Sequence, residues 1–250
     1  MVLVLVQARF SQRLDLAGRI PAFRQACEKL GYPIFRESTV RILNLGFGLS
    51  DSTETQPTPR WDFLDKTQRW NVVLSQEFLM IQTTDYPIFE EFLAKWKDLL
   101  EAARLLEIPV VERLGLRYVD LVQPEAGEKL ADYIAPAMAG LEPIAGSGLE
   151  RKSHLAVTVF QSAQGLMVVR VIPATTPLPP DLDNPHLKGL KFITPGSVFL
   201  DFDHASTDGL DFDPEIVSSA TDALHEAPDT LFRNVVTPMA FDKWKGRNLP

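Results

Sequence analysis

Residues 110–122 constrain the fold most, because their side chains alternate in character over a run at the middle of the 250-residue chain. Such alternation predicts a β-strand, in which successive side chains point to opposite faces. A buried guanidinium needs acceptors for its N–H donors, so we expect carboxylates or carbonyl groups opposite the arginines of this strand, which is predicted to be central. One face carries Leu114, Leu116 and Tyr118, and the other carries Arg113, Gly115, Arg117 and Val119.

Composition and charge narrow the class of protein. Hydrophobic residues make up 45% of the chain and charged residues 23%, which is typical of a soluble globular protein with a substantial core. The formal net charge of -8 argues against nucleic acid as a partner, since that binding depends on neutralising phosphates. Cys27 is the only cysteine, which excludes an intramolecular disulfide and a zinc site built on several thiolates. With no apolar run long enough for a membrane helix, we predict a cytoplasmic protein with no membrane partner.

Hydrophobic periodicity and turn signals divide the chain into strands and helices. Asp85 and Asp213 are expected to cap helices, and Pro136 is expected to end one. The segment from residue 228 onwards is too apolar for a disordered end, so we expect it to dock on the core. Strands are predicted at residues 2–10, 38–45, 60–65, 70–76, 78–83, 110–122, 154–161, 166–172 and 196–205, and helices at residues 16–30, 85–103 and 128–134 and from residue 213.

The order of these elements is similar in the two halves of the chain. Residues 1–109 and residues 110–250 each read as strand, helix, several antiparallel strands and helix, although no repeat is visible residue by residue. We therefore predict an α+β fold in which a curved antiparallel sheet carries helices on one face, with a pseudo-duplication of this unit. The two halves are expected to form one integrated domain, and the uncovered face of the sheet is expected to form a saddle or groove.

An acidic run follows the last predicted strand. Asp201 and Asp203 share one face of that strand, so a two-carboxylate metal site completed by loop oxygens can be drawn. The alternative is a solvated strand end followed by a turn and a helix cap, which is favoured because exposed acidic loops are common in acidic proteins. The four histidines are isolated, and no serine, cysteine or threonine nucleophile motif is present. We therefore predict no catalytic residue and no cofactor, and Asp201 and Asp203 are the only candidate metal ligands.

The main candidates for ligand or partner binding are Arg113 and Arg117. On an open sheet face they would bind a carboxylate, a phosphate or an acidic partner, and Gly115 between them would allow close backbone approach. Alternatively, they pair with carboxylates of neighbouring strands or anchor a helix end. Tyr118 belongs to the same stretch, and Trp244 lies in a tail that forms either a contact patch or the closure of the core.

Two runs, residues 60–63 (Arg-Trp-Asp-Phe) and residues 113–118 (Arg-Leu-Gly-Leu-Arg-Tyr), together with the strands and helix between them, carry a resemblance. They resemble a sporadically distributed bacterial protein family of unknown function with an Arg-x-Gly-x-Arg-Tyr core motif. Asp120 stands where the family typically has Asn, which puts any role of an amide there in doubt. The resemblance implies no activity, cofactor or catalytic residue. The family that the chain resembles occurs sporadically among bacteria, as defence islands and toxin–antitoxin pairs do. This distribution favours a protein that binds a partner.

The leading hypothesis is a non-enzymatic cytosolic protein-binding module of antitoxin, immunity or defence-accessory type. Its partner would be another protein, of basic character or encoded nearby, and a homodimer is left open. The alternative hypothesis is a protein that handles a small anionic ligand or a nucleotide, and in that case an enzyme is left open. Its groove would lie near Arg113 and Arg117.

Overall fold

The structure is a computed structural model that describes residues 1–40, 58–141, 148–149, 151–179, 182 and 184–245. Nine antiparallel strands form one sheet, which confirms the predicted α+β class, and a separate ribbon pairs two short strands. The strands are β1 (Leu3–Arg9), β2 (Ile34–Val40), β3 (Thr58–Leu64), β4 (Trp70–Ser75), β5 (Phe78–Thr83), β6 (Val110–Val111), β7 (Arg113–Val122), β8 (Ala156–Gln161), β9 (Gly165–Pro173), β10 (Val198–Ser206) and β11 (Leu210–Asp211). The helices are α1 (Ile20–Lys29), α2 (Phe89–Ala103), α3 (Pro136–Ala139), α4 (Pro214–Val235) and α5 (Pro238–Lys245).

The strand order of the sheet is β2-β3-β4-β5-β1-β7-β10-β9-β8. The first strand and the arginine-bearing strand therefore lie side by side at the centre, where Val4 is opposite Tyr118 and Leu5 is opposite Arg117. Strands from both halves of the chain contribute to this one sheet. β2 and β8 are its two edges, and β6 pairs with β11 outside it.

One face of the sheet is covered by helices. Alternate side chains of the strands pack there against α1, α2 and α4, and Trp96 of α2 is fully buried at the centre of this layer. The indole Nε1 of Trp96 donates to Thr221 Oγ1 of α4 at 3.0 Å, which ties the two long helices together. No helix in the described part of the chain combines the length and the apolar character that a bilayer crossing requires.

The opposite face is partly covered by coil rather than left open as expected. Leu178 and Leu187, from the connection between β9 and β10, pack on Leu3, Val119 and Phe199 of the sheet. Burial of these apolar side chains holds the described part of the connection on the sheet. Among the described residues, this face is exposed at the ends of β1 and β7 that carry arginines, where Arg9 is 48% and Arg113 is 42% exposed.

Three local predictions are wrong for identifiable reasons. Asp85 makes no cap, because α2 begins at Phe89 and the Asp85 carboxylate pairs with Arg69 instead. Pro136 does not end a helix; it occupies the first turn of α3, where a missing N–H is tolerated. Residues 228–235 belong to α4 rather than to a separate tail, although the end of the chain does dock through α5.

Candidate functional site

Arginines and aspartates alternate across three neighbouring strands on the face without helices. Arg117 of β7 makes a bidentate ion pair with Asp201 of β10, with both N–O distances at 2.8 Å. Arg170 of β9 donates to the same carboxylate at 3.1 Å and lies 3.7 Å from Asp203. Arg113 lies 3.7 Å from Asp203 on the other side. Asp201 is fully buried, so this network holds a desolvated carboxylate in place through charge-assisted hydrogen bonds.

Gly115 makes room for the Arg113 side chain. A Cβ atom at this position would lie 3.2 Å from Arg113 Nη1, which shows that the guanidinium folds back over the strand. The glycine therefore leaves room for an arginine of the same strand, whereas the close approach of a ligand to the backbone at Gly115 stays a prediction. The Arg113 side chain remains 42% exposed and is more accessible than that of Arg117, the other arginine of β7.

The candidate metal ligands have other partners. The carboxylates of Asp201 and Asp203 face arginines, and the carboxylate of Asp213 caps α4 by accepting from the backbone N–H groups of Glu215 and Ile216. The Ile216 N–H is the main cause that lowers the pKa of Asp213. Within the described residues, no group of three or more His, Cys, Asp or Glu side chains is arranged to hold a metal ion.

Tyr118 lies on the helix side of the sheet, away from the arginines. Its hydroxyl is 2.8 Å from His225 Nδ1, and the His225 ring stacks on Phe89 with ring centroids 3.7 Å apart. Burial raises the pKa of Tyr118 and lowers the pKa of His225, so both groups favour their neutral forms. Tyr118 and the arginines therefore cannot act on one ligand.

Trp244 is likewise remote from the arginines. It lies on α5 and packs against Tyr133 and Phe232, so it helps to close the core as one of its two interpretations proposed. Lys243 next to it binds Glu128 at 2.7 Å, and this contact is the main cause that lowers the pKa of Glu128 to about 2. The helix α5 is therefore held against the rest of the protein by the packing of Trp244 and by the ion pair of Lys243 with Glu128.

The sheet edge at β8 is a feature that sequence reasoning missed. Val157 and Val159 are 46% and 58% exposed, and Leu166 of β9 beside them is 44% exposed. The Ser162 N–H donates to the Gly165 carbonyl at 2.8 Å, and this hydrogen bond sets the alternation of the β8–β9 ladder. Consequently the N–H and C=O groups of Val157, Val159 and Gln161 point away from β9. Among the described residues, no strand pairs with this outer edge.

The two edges of the sheet differ in their protection. β2 carries Arg36 and Glu37, whereas β8 reads Ala-Val-Thr-Val-Phe-Gln and carries no charge. Natural edge strands are usually blunted by charged residues, prolines or bulges, because their free backbone groups would otherwise pair with other chains. The sequence shows that β8 lacks charge, but only the strand order shows that β8 is an edge.

A groove of about 450 Å³ opens beside the β8 edge on the helix side. Its lining combines apolar side chains with polar groups of the hairpin tip and of α4. Such a groove can accept a large apolar side chain from a neighbouring strand. It is lined by Phe160, Gln161, Ser162, Ala163, Gln164, Met167, Glu226, Ala227, Thr230, Leu231 and Asn234.

Ser162 lines this groove, and its hydroxyl contacts the buried His204 of β10. His204 Nδ1 is 2.8 Å from the Leu224 carbonyl, which can only accept, so Nε2 is left to accept the Ser162 hydroxyl at 2.8 Å. The Ser162 oxygen in turn accepts the N–H groups of Gln164 and Gly165 at 3.1 and 3.0 Å. The Ser162 oxygen also lies 3.0 Å from the Gly165 carbonyl oxygen, so together these contacts hold the hairpin tip in place.

Comparison with known proteins gives no relationship from which a site could be transferred. No family model matches the chain, and no curated protein matches it. The resemblance of residues 61–122 to the family with the Arg-x-Gly-x-Arg-Tyr core stays a prediction.

Proposed function

We propose that this protein binds another protein by accepting an extended segment of it as an additional strand on β8. The observation that carries the proposal is the uncharged edge, with the backbone groups of three residues directed outwards between exposed valines. Strand addition supplies affinity through main-chain hydrogen bonds and specificity through pockets for alternate side chains. The groove beside β8 provides such a pocket.

The type of partner is part of the same proposal. The net charge of -8 suits a basic partner, and the family resemblance supports a cytosolic role of antitoxin, immunity or defence-accessory type. A partner encoded next to this protein fits that role.

The edge can be tested by blocking it with a charge. Val159→Lys should abolish co-purification of a stoichiometric protein companion, because an edge lysine opposes strand pairing. The matched control is Thr39→Lys, which places the same charge on an exposed position of β2 at the opposite edge. The measurement is an affinity pull-down from the host with light-scattering mass of the eluted complex, after circular dichroism has shown that both variants are folded.

A companion that is lost only with Val159→Lys supports strand addition. A companion retained by both variants would place the interface elsewhere and contradict the proposal. A companion lost with both variants would also contradict it, since the effect would then follow from added charge rather than from the β8 edge.

A second function, binding of a small anion, is favoured by one observation. Arg9 and Arg113 lie directly opposite each other on β1 and β7, an arrangement of like charges that is unfavourable without a counter-charge. Both arginines make only long ion pairs with carboxylates, at N–O distances of 3.6 Å between Arg9 and Glu77 and 3.7 Å between Arg113 and Asp203. A phosphate or carboxylate between the two guanidiniums would relieve this repulsion.

Inorganic phosphate tests the second function by thermal shift. If phosphate binds with a Kd of about 1 mM, 10 mM phosphate should stabilise the protein by about 1.4 kcal/mol and raise Tm by about 3–5 °C. Arg113→Gln and Arg9→Gln should each remove the shift, whereas Arg36→Gln on β2 should retain it. An equal shift in all of these variants would show that the anion acts non-specifically.

We also propose that the two halves of the chain are a pseudo-duplication that builds one curved sheet. In each half the opening strand lies at the centre, with β5 beside β1 and β10 beside β7. The remaining strands then follow outwards in reverse order to each edge. This arrangement supports a repeated unit and makes β2 and β8 comparable edges, of which β8 is the one without charge.

A further inference from the structure

The groove beside β8 indicates what kind of segment the edge accepts, and this step rests on the proposed function. A strand that pairs with β8 would place alternate side chains on the helix side, next to Phe160. There the lining of the groove includes Met167, Ala227 and Leu231, which are apolar. One large apolar side chain of the added strand therefore fits between the hairpin and α4.

The charges around the groove favour a basic neighbour for that side chain. Glu226 lines the groove, and Asp222 lies one turn before it on the exposed side of α4. No lysine or arginine is among the described lining residues, and Arg233 farther along α4 is paired with Asp229 at 3.0 Å. Among the described residues, Glu226 therefore presents negative charge to the added strand without a paired lysine or arginine.

A second copy of the chain fits this surface less well. In the register that pairs all three outward-facing residues with those of a copy, Val159 is opposite itself and Val157 is opposite Gln161. Phe160 would then be opposite Thr158, so a small polar side chain would face the groove. The β8 strand also contains no lysine or arginine to meet Glu226.

We infer that β8 accepts a segment of about six residues from a different protein, with a large apolar side chain in the groove and a lysine or arginine beside it. The length follows from β8 itself, whose six residues set the longest ladder that the edge can form. On the other face, exposed Val157 and Val159 require apolar or β-branched residues in the segment. Proline is excluded at positions whose N–H faces β8.

The probe for this inference is a phage library of random twelve-residue peptides, selected on the immobilised full chain. The enriched peptides should contain alternating apolar residues with lysine or arginine next to a large apolar one. A synthetic copy of the best peptide should bind at least about tenfold more weakly to Val159→Lys. Glu226→Gln should weaken it about three- to fivefold, as expected for an exposed ion pair, whereas Glu91→Gln on α2 should leave the affinity unchanged.

N-methylation of the peptide backbone tests strand addition independently of the side chains of the segment. N-methylation of alternate amides that face β8 should abolish binding, and methylation of the other amides should not. The inference would be overturned, while the proposed function stands, by one combination of results. The selected peptides would be acidic or uncharged, would lose binding on methylation of the same alternate amides, and would bind Glu226→Gln as tightly as the unchanged protein. Peptides that bind Val159→Lys equally well, or no enrichment at all, would overturn both. A dimer by light scattering that Val159→Lys dissociates would assign the edge to a second copy.

Discussion

Replacing Asp201 with alanine is expected to lower the free energy of unfolding by about 3–5 kcal/mol, the range for removing one partner of a buried ion pair. The carboxylate is fully buried and accepts two hydrogen bonds from Arg117 and one from Arg170. Both guanidiniums keep their charge after the substitution, because arginine does not lose its proton in proteins. Urea unfolding at pH 7, followed by circular dichroism, measures the change.

Asp203→Ala is the matched control on the same strand and the same face. Asp203 is 20% exposed and lies 3.7 Å from its arginines, so its removal should change stability by less than about 1 kcal/mol. Combining Asp201→Leu with Arg117→Leu should recover part of the loss, since both charges of the bidentate pair are then removed. Equal stability of Asp201→Ala and Asp203→Ala would contradict the role given to the buried carboxylate.

The arginine face shows how far local sequence reasoning reaches. Alternation in β7 correctly separated the arginine face from the Tyr118 face, and donor counting predicted carboxylates or carbonyl groups opposite the arginines, of which a carboxylate is found opposite Arg117. The identity of that carboxylate could not be derived, because Asp201 comes from a strand 84 residues away and its position depends on sheet order and register. The two carboxylates proposed as metal ligands are the partners that the arginines were predicted to need.

Pro228 shows where a local rule is overridden by a tertiary contact. A proline inside a helix leaves the carbonyl four residues earlier without its N–H donor, and here that carbonyl belongs to Leu224. His204 of β10 supplies a ring N–H to this carbonyl at 2.8 Å, so α4 continues to Val235. Nothing within the helix sequence indicates that a strand histidine would satisfy the carbonyl.

The β8 edge was missed for a related reason. The sequence correctly predicts strands close to β8 and β9, and the absence of charge in β8 is typical of a buried strand as well as of a binding edge. Which of these holds depends on what lies beyond β8 in the sheet. Only the strand order, a property of the whole chain, places this uncharged strand at the boundary.

Replacing Gly165 with alanine is expected to lower the free energy of unfolding by about 3 kcal/mol, because strained backbone and steric overlap add together. Gly165 has a φ angle of 152°, which residues with a side chain rarely adopt, and a Cβ there would overlap the Ala205 carbonyl oxygen of β10. That oxygen belongs to the backbone of a central strand, so it cannot move without disturbing the β9–β10 ladder. Urea unfolding of the purified variant measures the loss.

Gly115→Ala is the matched control, since it adds the same methyl group to another strand of the sheet. Its nearest neighbour is the end of the flexible Arg113 side chain, which can move aside, so stability should change by less than about 1 kcal/mol. Gly165 closes the turn that holds β8 in register. Gly165→Ala should therefore also reduce the amount of companion protein recovered in the pull-down, at a temperature where the variant is folded. A destabilised variant with undiminished companion binding would show that the interface does not depend on the geometry of the β8 edge.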